Sequence, residues 1–262
     1  MKKETLSVLC SPRTHESLQL IIEKGEEFLL SKKSKEKFII KDGIPIFLIK
    51  SEVKGLNRKY QRMYDIIASF YDLPFKLYNF FTHGAEGRIR MEYLKELEIK
   101  DGAKILEVAI GTGANFRYLP KAIQIFGLDI SWRMLKKCQR NFRKWGLNAE
   151  LFLGEAENLP FVNETFDVVF HVGGINFFND KAKAIHEMIR VAKPGTKIVL
   201  VDETEKLAKT FYEKTPFLKR FYKNRKGKIS PPIDLVPREM LDIQLSYLWN
   251  DRLYCLSFRK PR

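Results

Sequence analysis

The sequence predicts an α/β protein built on an open, mostly parallel sheet with helices on both faces. Strand-like runs alternate with helical stretches from residue 104 to residue 203, a glycine pair follows the first of those runs, and the chain closes on two further strand-like runs joined by a tight turn. Alternation of this kind implies βαβ units, which force parallel pairing. The closing pair, IQLSYLWN and RLYCLSF about Asn250 and Asp251, would add an antiparallel edge.

Taken in order, the first fifty or so residues form a unit of their own. A polar, lysine-rich stretch ends in KFIIKDGIPIFLI, a hairpin signature about Asp42 and Gly43. We place a module over 1–55 and the main domain over 56–262. From Leu56 the periodicity turns helical, with Tyr60, Met63, Tyr64, Ile67, Phe70 and Tyr71 recurring at three and four residues. Then come KILEVAI and a helix over 114–121, QIFGLDI and a helix over 132–145, AELFLGE, DVVFHVG and a helix over 180–192, and KIVLVDE.

The 262 residues are 45% hydrophobic and 30% charged, which excludes a disordered or fibrous chain. No apolar run reaches the roughly 18 residues of a membrane span, and the start MKKETLSVLC lacks a signal-peptide core, so the expected location is the cytoplasm. Three widely separated cysteines, Cys10, Cys138 and Cys255, indicate neither a disulfide framework nor a cysteine metal site, and no metal is expected. A net charge of +15 favours anionic partners. Its densest stretch, Phe217 to Lys228, carries Lys219, Arg220, Lys223, Arg225, Lys226 and Lys228 without an acid. It reads as a solvated basic lid within 205–240, with RNA, phospholipid headgroups at a membrane surface and an acidic substrate as the alternatives that charge leaves open.

Chemistry concentrates at Glu107, Val108, Ala109, Ile110, Gly111, Thr112 and Gly113, at the carboxyl end of the first strand, where ligands of open α/β sheets bind. Glycines 111 and 113 let the main chain turn and approach a ligand. Asp129, at the end of the second strand, is placed to accept hydrogen bonds from a ribose. A nucleoside-containing cofactor follows. NAD is disfavoured because Phe116 stands where its fingerprint wants a third glycine, and no Gly-Lys-Ser/Thr makes a P-loop.

On these residues the chain resembles the class I S-adenosylmethionine-dependent methyltransferases. GLDISWRMLKKC, GEAENLPFVNETFDVVF and EMIRVAKPGTKIVLVDE follow in the family's order, so the resemblance covers about 60–262. It implies a Rossmann-like seven-stranded sheet and S-adenosyl-L-methionine as cofactor. Glu107 would lie near the methionine part, Gly111 and Gly113 along its backbone, Asp129 at the ribose, and Ile130 and Met134 at the adenine. Glu155, where the family commonly has Asp, would reach the adenine amino group, Ala156 would also line the cofactor, and the His171 backbone would lie near the cofactor's amino group. KYQRMYDIIASFYD is similar to the helix that closes over the cofactor in small-molecule and lipid methyltransferases, with Tyr71 on the cofactor side and Tyr64 on the acceptor side; a core-facing aromatic stripe is the alternative for both.

Arg88 is a candidate for an anionic acceptor group or a plain surface arginine. In HVGGINFF, His171 is a candidate base and Asn176 a candidate acceptor-pocket or loop-capping residue. The N-terminal unit resembles the zinc-ribbon-like module of some ribosomal RNA guanine methyltransferases, in degenerate form: Cys10 stands alone, with Arg13 where a second thiolate belongs. The reading is therefore methyl transfer to a small-molecule or lipid-like acceptor. Its alternatives are an RNA methyltransferase and a non-catalytic cofactor-binding partner subunit.

Overall fold

The computed structural model describes residues 3–48, 53–68, 85–214 and 228–262. Its main sheet has seven strands: β5 (Lys104–Val108), β6 (Gln124–Asp129), β7 (Ala149–Leu153), β8 (Val168–Val172), β9 (Lys197–Glu203), β10 (Leu241–Leu248) and β11 (Leu253–Arg259). They lie in the order β10-β11-β9-β8-β5-β6-β7. The five strands from β9 to β7 run parallel, while β11 is antiparallel to β9 and to β10. The order reverses beside β5, which opens a crevice at the carboxyl ends of β5 and its neighbours.

Helix α2 (Gly55–Ile67) and helix α3 (Ala85–Leu94) precede the sheet; α4 (Trp132–Trp145), α5 (Lys181–Val191) and α6 (Glu205–Lys214) follow β6, β8 and β9. Local chemistry sets these boundaries. The Ser131 hydroxyl accepts the Met134 amide at 3.2 Å to start α4, and Gly146 ends it at φ 67°. Asp180 caps α5 through the Lys183 amide at 2.9 Å. The helix expected over 114–121 is instead one 3₁₀ turn, Ala114–Tyr118. Pro120 forces its predecessor out of the helical region, and Leu119 is extended at φ −99°, ψ 159°.

The N-terminal unit is a short helix α1 (Lys3–Ser7) and a four-stranded antiparallel sheet of β1 (Leu18–Glu23), β2 (Glu26–Ser31), β3 (Lys37–Lys41) and β4 (Ile44–Pro45). The Asp42, Gly43 hairpin joins β3 to β4 as expected. A second hairpin turns at Lys24 and Gly25, both at positive φ. Two turns in this unit share one pattern. The Ser11 amide donates to the Glu16 carbonyl at 2.9 Å and the His15 amide to the Ser11 carbonyl at 2.9 Å. The Ser31 amide donates to the Glu36 carbonyl at 2.9 Å and the Lys35 amide to the Ser31 carbonyl at 3.0 Å. His15 and Lys35 are both left-handed, at φ 55° and 60°. The turns are cross-linked, Ser11 Oγ donating to Glu36 and Ser31 Oγ to Glu16. The first turn opens one residue beyond Cys10, whose own amide instead donates to the Pro160 carbonyl at 3.0 Å.

This unit is fastened to the main sheet. The Phe47 amide donates to the Leu153 carbonyl at 2.8 Å, so the chain beyond β4 runs beside the β7 edge. Val8, Leu9, Leu18, Leu29, Phe38 and Phe47 share one apolar core with Phe126, Phe152, Phe161 and Phe166. On the sheet's other face Ile105, Ile125, Phe170 and Val199 pack with Leu135, Cys138 and Phe142 of α4.

Candidate functional site

The site is built where β5 and β6 end. Beyond β5 the chain turns through Ala109 at φ 60°, a left-handed conformation that favours glycine, then through Gly111 at φ 56°. The turn is pinned from below: Asp129 Oδ2 accepts the Gly111 amide at 2.8 Å and Oδ1 accepts the Ser131 amide at 2.8 Å. The two glycines have different reasons. A Cβ on Gly111 would meet nothing within 4 Å, so it faces open space, whereas one on Gly113 would come within 2.2 Å of the Phe142 ring and 2.8 Å of Cys138 Sγ. Gly113 is needed for packing on α4. Phe116 fills the core behind the loop, edge-on to Phe142 with centroids 5.7 Å apart.

Glu107 is 1% exposed; one carboxylate oxygen accepts the Asn115 amide at 2.6 Å, and the other has no partner among the described residues. Burial pushes its pKa up to about 8, against the pull of Asn115 and Arg90. Burial likewise pushes Asp129 up to about 6, opposed by the Ser131 and Gly111 amides. Asn115 is held in turn by the Tyr93 hydroxyl at 2.8 Å and by Arg90. Arg88, the candidate from the sequence, is exposed on α3, and Arg90 is the arginine that reaches this network. Sequence reasoning missed Arg90 and Asn115. Their spacing on α3 and the 3₁₀ turn acquires meaning only once the two elements are packed together.

Helix α2 lies across the strand ends. Its N-terminus is capped from afar, the Asn179 side-chain oxygen accepting the Leu56 amide at 2.7 Å. Asn57 donates to Glu155 at 2.8 Å and to Glu157 at 3.2 Å, which ties α2 to the loop after β7. Farther along, Gln61 donates to the Ile130 carbonyl at 3.1 Å, and Asp65 accepts the Ser131 hydroxyl at 2.6 Å. Tyr60 stacks on Phe177 with centroids 4.0 Å apart. Of the cofactor candidates, Ile130 and Glu155 are half-buried near this helix, while Met134 and Ala156 are buried behind it at 2% and 5% exposure. Tyr64 is half-buried on α2. Tyr71 and most of the basic stretch from Phe217 lie outside the described residues.

On the other side of the crevice, β8 leads into a turn with a 3₁₀ segment at Ile175–Phe177. Asn176 is engaged within the protein, its Nδ2 donating to Asp202 at 3.2 Å and its Oδ1 accepting Lys181 Nζ at 2.8 Å. His171 is fully buried, with Nδ1 2.8 Å from the Val108 carbonyl, and its strand register pairs it with Val108 and Leu200. No group of three or more His, Cys, Asp or Glu among the described residues is placed to hold a metal ion. Nor is any described helix long and apolar enough to cross a membrane.

Residues 105–195 match the family described as a methyltransferase domain. The chain is 31% identical over 151 residues to a demethylmenaquinone methyltransferase of Lactiplantibacillus plantarum, covering 55% of this chain and 62% of that protein. It is 36% identical over 104 residues to a phthiotriol/phenolphthiotriol dimycocerosates methyltransferase of Mycobacterium leprae, 38% of each chain. It thus spans less than two thirds of the length of these relatives. Among solved structures, a protein of Methanococcus maripaludis described as a putative S-adenosyl-L-methionine-dependent methyltransferase superposes with a TM-score of 0.57 at 19% identity, over 82% of this chain and 98% of the other. The fold is that of the class I methyltransferases.

Proposed function

We propose that this protein, from the methyltransferase domain at 105–195 outward, transfers a methyl group from S-adenosylmethionine to a small-molecule or lipid-like acceptor. The observation that carries the reading is the cradle at Gly111: open space above a glycine pinned to Asp129, beside a buried Glu107 oxygen with no partner among the described residues. A buried carboxylate oxygen left without a partner is costly, and a cationic ligand group relieves that cost. The names of the quinone- and lipid-modifying relatives support the acceptor class.

When bound, S-adenosylmethionine supplies an electrophilic methyl on a sulfonium that carries its own leaving group. The chain's residues do the rest by position and electrostatics. Glu107 receives the ammonium of the methionine part, and Asp129 keeps lone pairs for the ribose hydroxyls while its other bonds hold the Gly111 turn. Ile130 and Glu155 would hold the adenine, with the buried Met134 and Ala156 behind them. Tyr71, outside the described residues, is assigned to the cofactor side from the sequence resemblance alone. The backbone at 171 would lie near the cofactor's amino group, and the 173–178 turn borders the acceptor, with Tyr64, Arg88 and Asn176 as the acceptor-side groups. Residues 1–55 form the appended ribbon-like module and 56–262 the transferring domain, working in the cytoplasm.

Calorimetry with S-adenosylmethionine tests the cofactor site: Asp129→Ala should weaken binding by roughly 2 kcal/mol, because charge-assisted bonds are lost. Transfer of labelled methyl into the lipid or small-molecule fraction of a cell extract tests the reaction. Label entering RNA instead would overturn the acceptor class.

A further inference from the structure

Three polar side chains share one sheet face at the acceptor end. His171 on β8 lies opposite Leu200 on β9, Asp202 is two residues farther along that strand, and Tyr254 on β11 lies directly opposite Asp202. All three are buried. Asp202 is satisfied by the turn above it: Oδ2 accepts the Gly174 amide at 3.1 Å and Asn176 Nδ2 at 3.2 Å, and Oδ1 accepts the Glu203 amide at 2.7 Å. His171 Nε2 and the Tyr254 hydroxyl, by contrast, have no partner among the described residues.

Their chemistry is complementary. A carbonyl only accepts, so the contact with the Val108 carbonyl places a proton on Nδ1 and leaves a lone pair on Nε2. Burial lowers the His171 pKa against the opposing charge of Asp202, which keeps the ring neutral. Burial raises the Tyr254 pKa, with Asp202 and Glu203 adding to it, so the phenol stays a donor. Lys181 reaches the group through Asn176 Oδ1 at 2.8 Å. One orphaned acceptor and one orphaned donor in a buried place suit a hydroxyl, which donates and accepts at once. The cover can move. Gly173 and Gly174 stand at φ 78° and 111°, and a Cβ on Gly173 would meet nothing within 4 Å.

We propose that His171 Nε2 and the Tyr254 hydroxyl receive the hydroxyl group of a phenol- or enol-type acceptor, His171 taking its proton as the methyl group is transferred. The proposal rests on the methyl-transfer reading above. In the step, the acceptor O–H bond breaks and its electron pair stays with the acceptor. The acceptor's oxygen or conjugated carbon bonds the methyl carbon, and the S–CH₃ pair leaves with sulfur. The proton resides on Nε2, where Asp202 stabilises the imidazolium, until the 173–178 turn opens to water. Phe178, with its ring centroid 5.2 Å from that of His171, forms an aromatic wall.

The probe is 1-naphthol, compared with 1-methoxynaphthalene, on the full chain loaded with S-adenosylhomocysteine. The two share a ring system, but only naphthol can donate to Nε2. Naphthol should bind roughly tenfold or more tighter than the ether. Tyr254→Phe and His171→Gln should each erase most of that preference. The Tyr254→Phe variant keeps the core shape, and a purely structural tyrosine with no hydrogen bond would leave the preference unchanged. The ¹⁵N resonance of His171 Nε2, assigned by its loss in His171→Gln, should move on adding naphthol. Equal binding of the two probes, or a preference that survives both substitutions, overturns the proposal. So does failure of naphthol to bind while S-adenosylhomocysteine binds, an outcome that leaves the methyl-transfer reading standing. Failure of the unaltered protein to bind S-adenosylhomocysteine overturns that reading itself.

Discussion

At the scale of single residues, the two buried carboxylates of the proposed cofactor site predict that binding there is proton-coupled. Glu107 and Asp129 are raised by burial to about 8 and about 6, from ordinary values of 4.5 and 3.8. An acid whose folded pKa lies above its unfolded one holds a proton that the unfolded chain has released. Stability of the ligand-free protein should therefore fall as pH rises from about 3.8 to about 8, the window set by these shifts. A cationic group beside Glu107 favours the carboxylate, so S-adenosylmethionine should bind with proton release at pH 7 and bind more tightly as pH approaches 8. Calorimetry in two buffers of different ionisation enthalpy measures the released protons; identical heats in both would refute the assignment. Glu107, Gly111 and Asp129 were legible in the sequence because strand, turn and acid fall in a fixed local order. Arg90, Asn115 and Asp202 were not, since each acts through a partner on another element. The same limit hid the packing reason for Gly113, where a Cβ would meet the Phe142 ring.

At the scale of elements, α2 depends on a cap it does not carry. Its own N-cap position, Lys54, makes no side-chain capping bond, and Asn179 supplies the oxygen for the Leu56 amide while its nitrogen donates to the Lys54 carbonyl at 3.0 Å. Asn179→Ala should cost about 1–2 kcal/mol and speed hydrogen exchange in the first turn of α2, while the exchange of α4 stays unchanged. Uniform acceleration across the chain would mean that the residue supports the whole fold rather than this helix. The twin turns of the N-terminal sheet pose a different test. Ser11 Oγ accepts the Arg13 and Thr14 amides at 3.2 Å, as a thiolate would in a metal-binding turn, and Ser31 and Ser34 repeat the spacing of Ser11 and Thr14. Changing Ser11, Thr14, Ser31 and Ser34 together to Cys should create a tetrahedral site that takes up about one equivalent of Zn²⁺, read by metal analysis. A folded variant that binds none would show that the paired turns do not converge on a metal-sized centre. The matching turns were hidden in the sequence because serine and threonine lack the signal that cysteine gives, and because Cys10 drew attention to the neighbouring position. The Lys24, Gly25 hairpin was overlooked for a related reason, its charged flanks masking the alternation of LQLIIE and EEFLLS.

At the scale of the whole molecule, the parallel sheet was legible from alternation, but its fusion to the N-terminal unit was not, because apolar periodicity says which residues are buried and not against what. Leu9, Leu29, Phe38 and Phe47 are each less than 7% exposed, and they share a core with Phe152 and Phe161. Each fully buried side chain of this size contributes about 1.5–3 kcal/mol, so four of them together rival the roughly 5–15 kcal/mol by which a domain is stable. The unit also covers an edge. Phe47 hydrogen-bonds along β7, whose outer backbone groups would otherwise be free to pair with another chain. Removing residues 1–48 should therefore leave a chain that aggregates or loses cooperative unfolding, and the full chain should unfold in one calorimetric transition rather than two. A truncated chain that stays monomeric with an unchanged melting temperature would show that the seven-stranded sheet stands alone and that the N-terminal sheet serves only its outer surface.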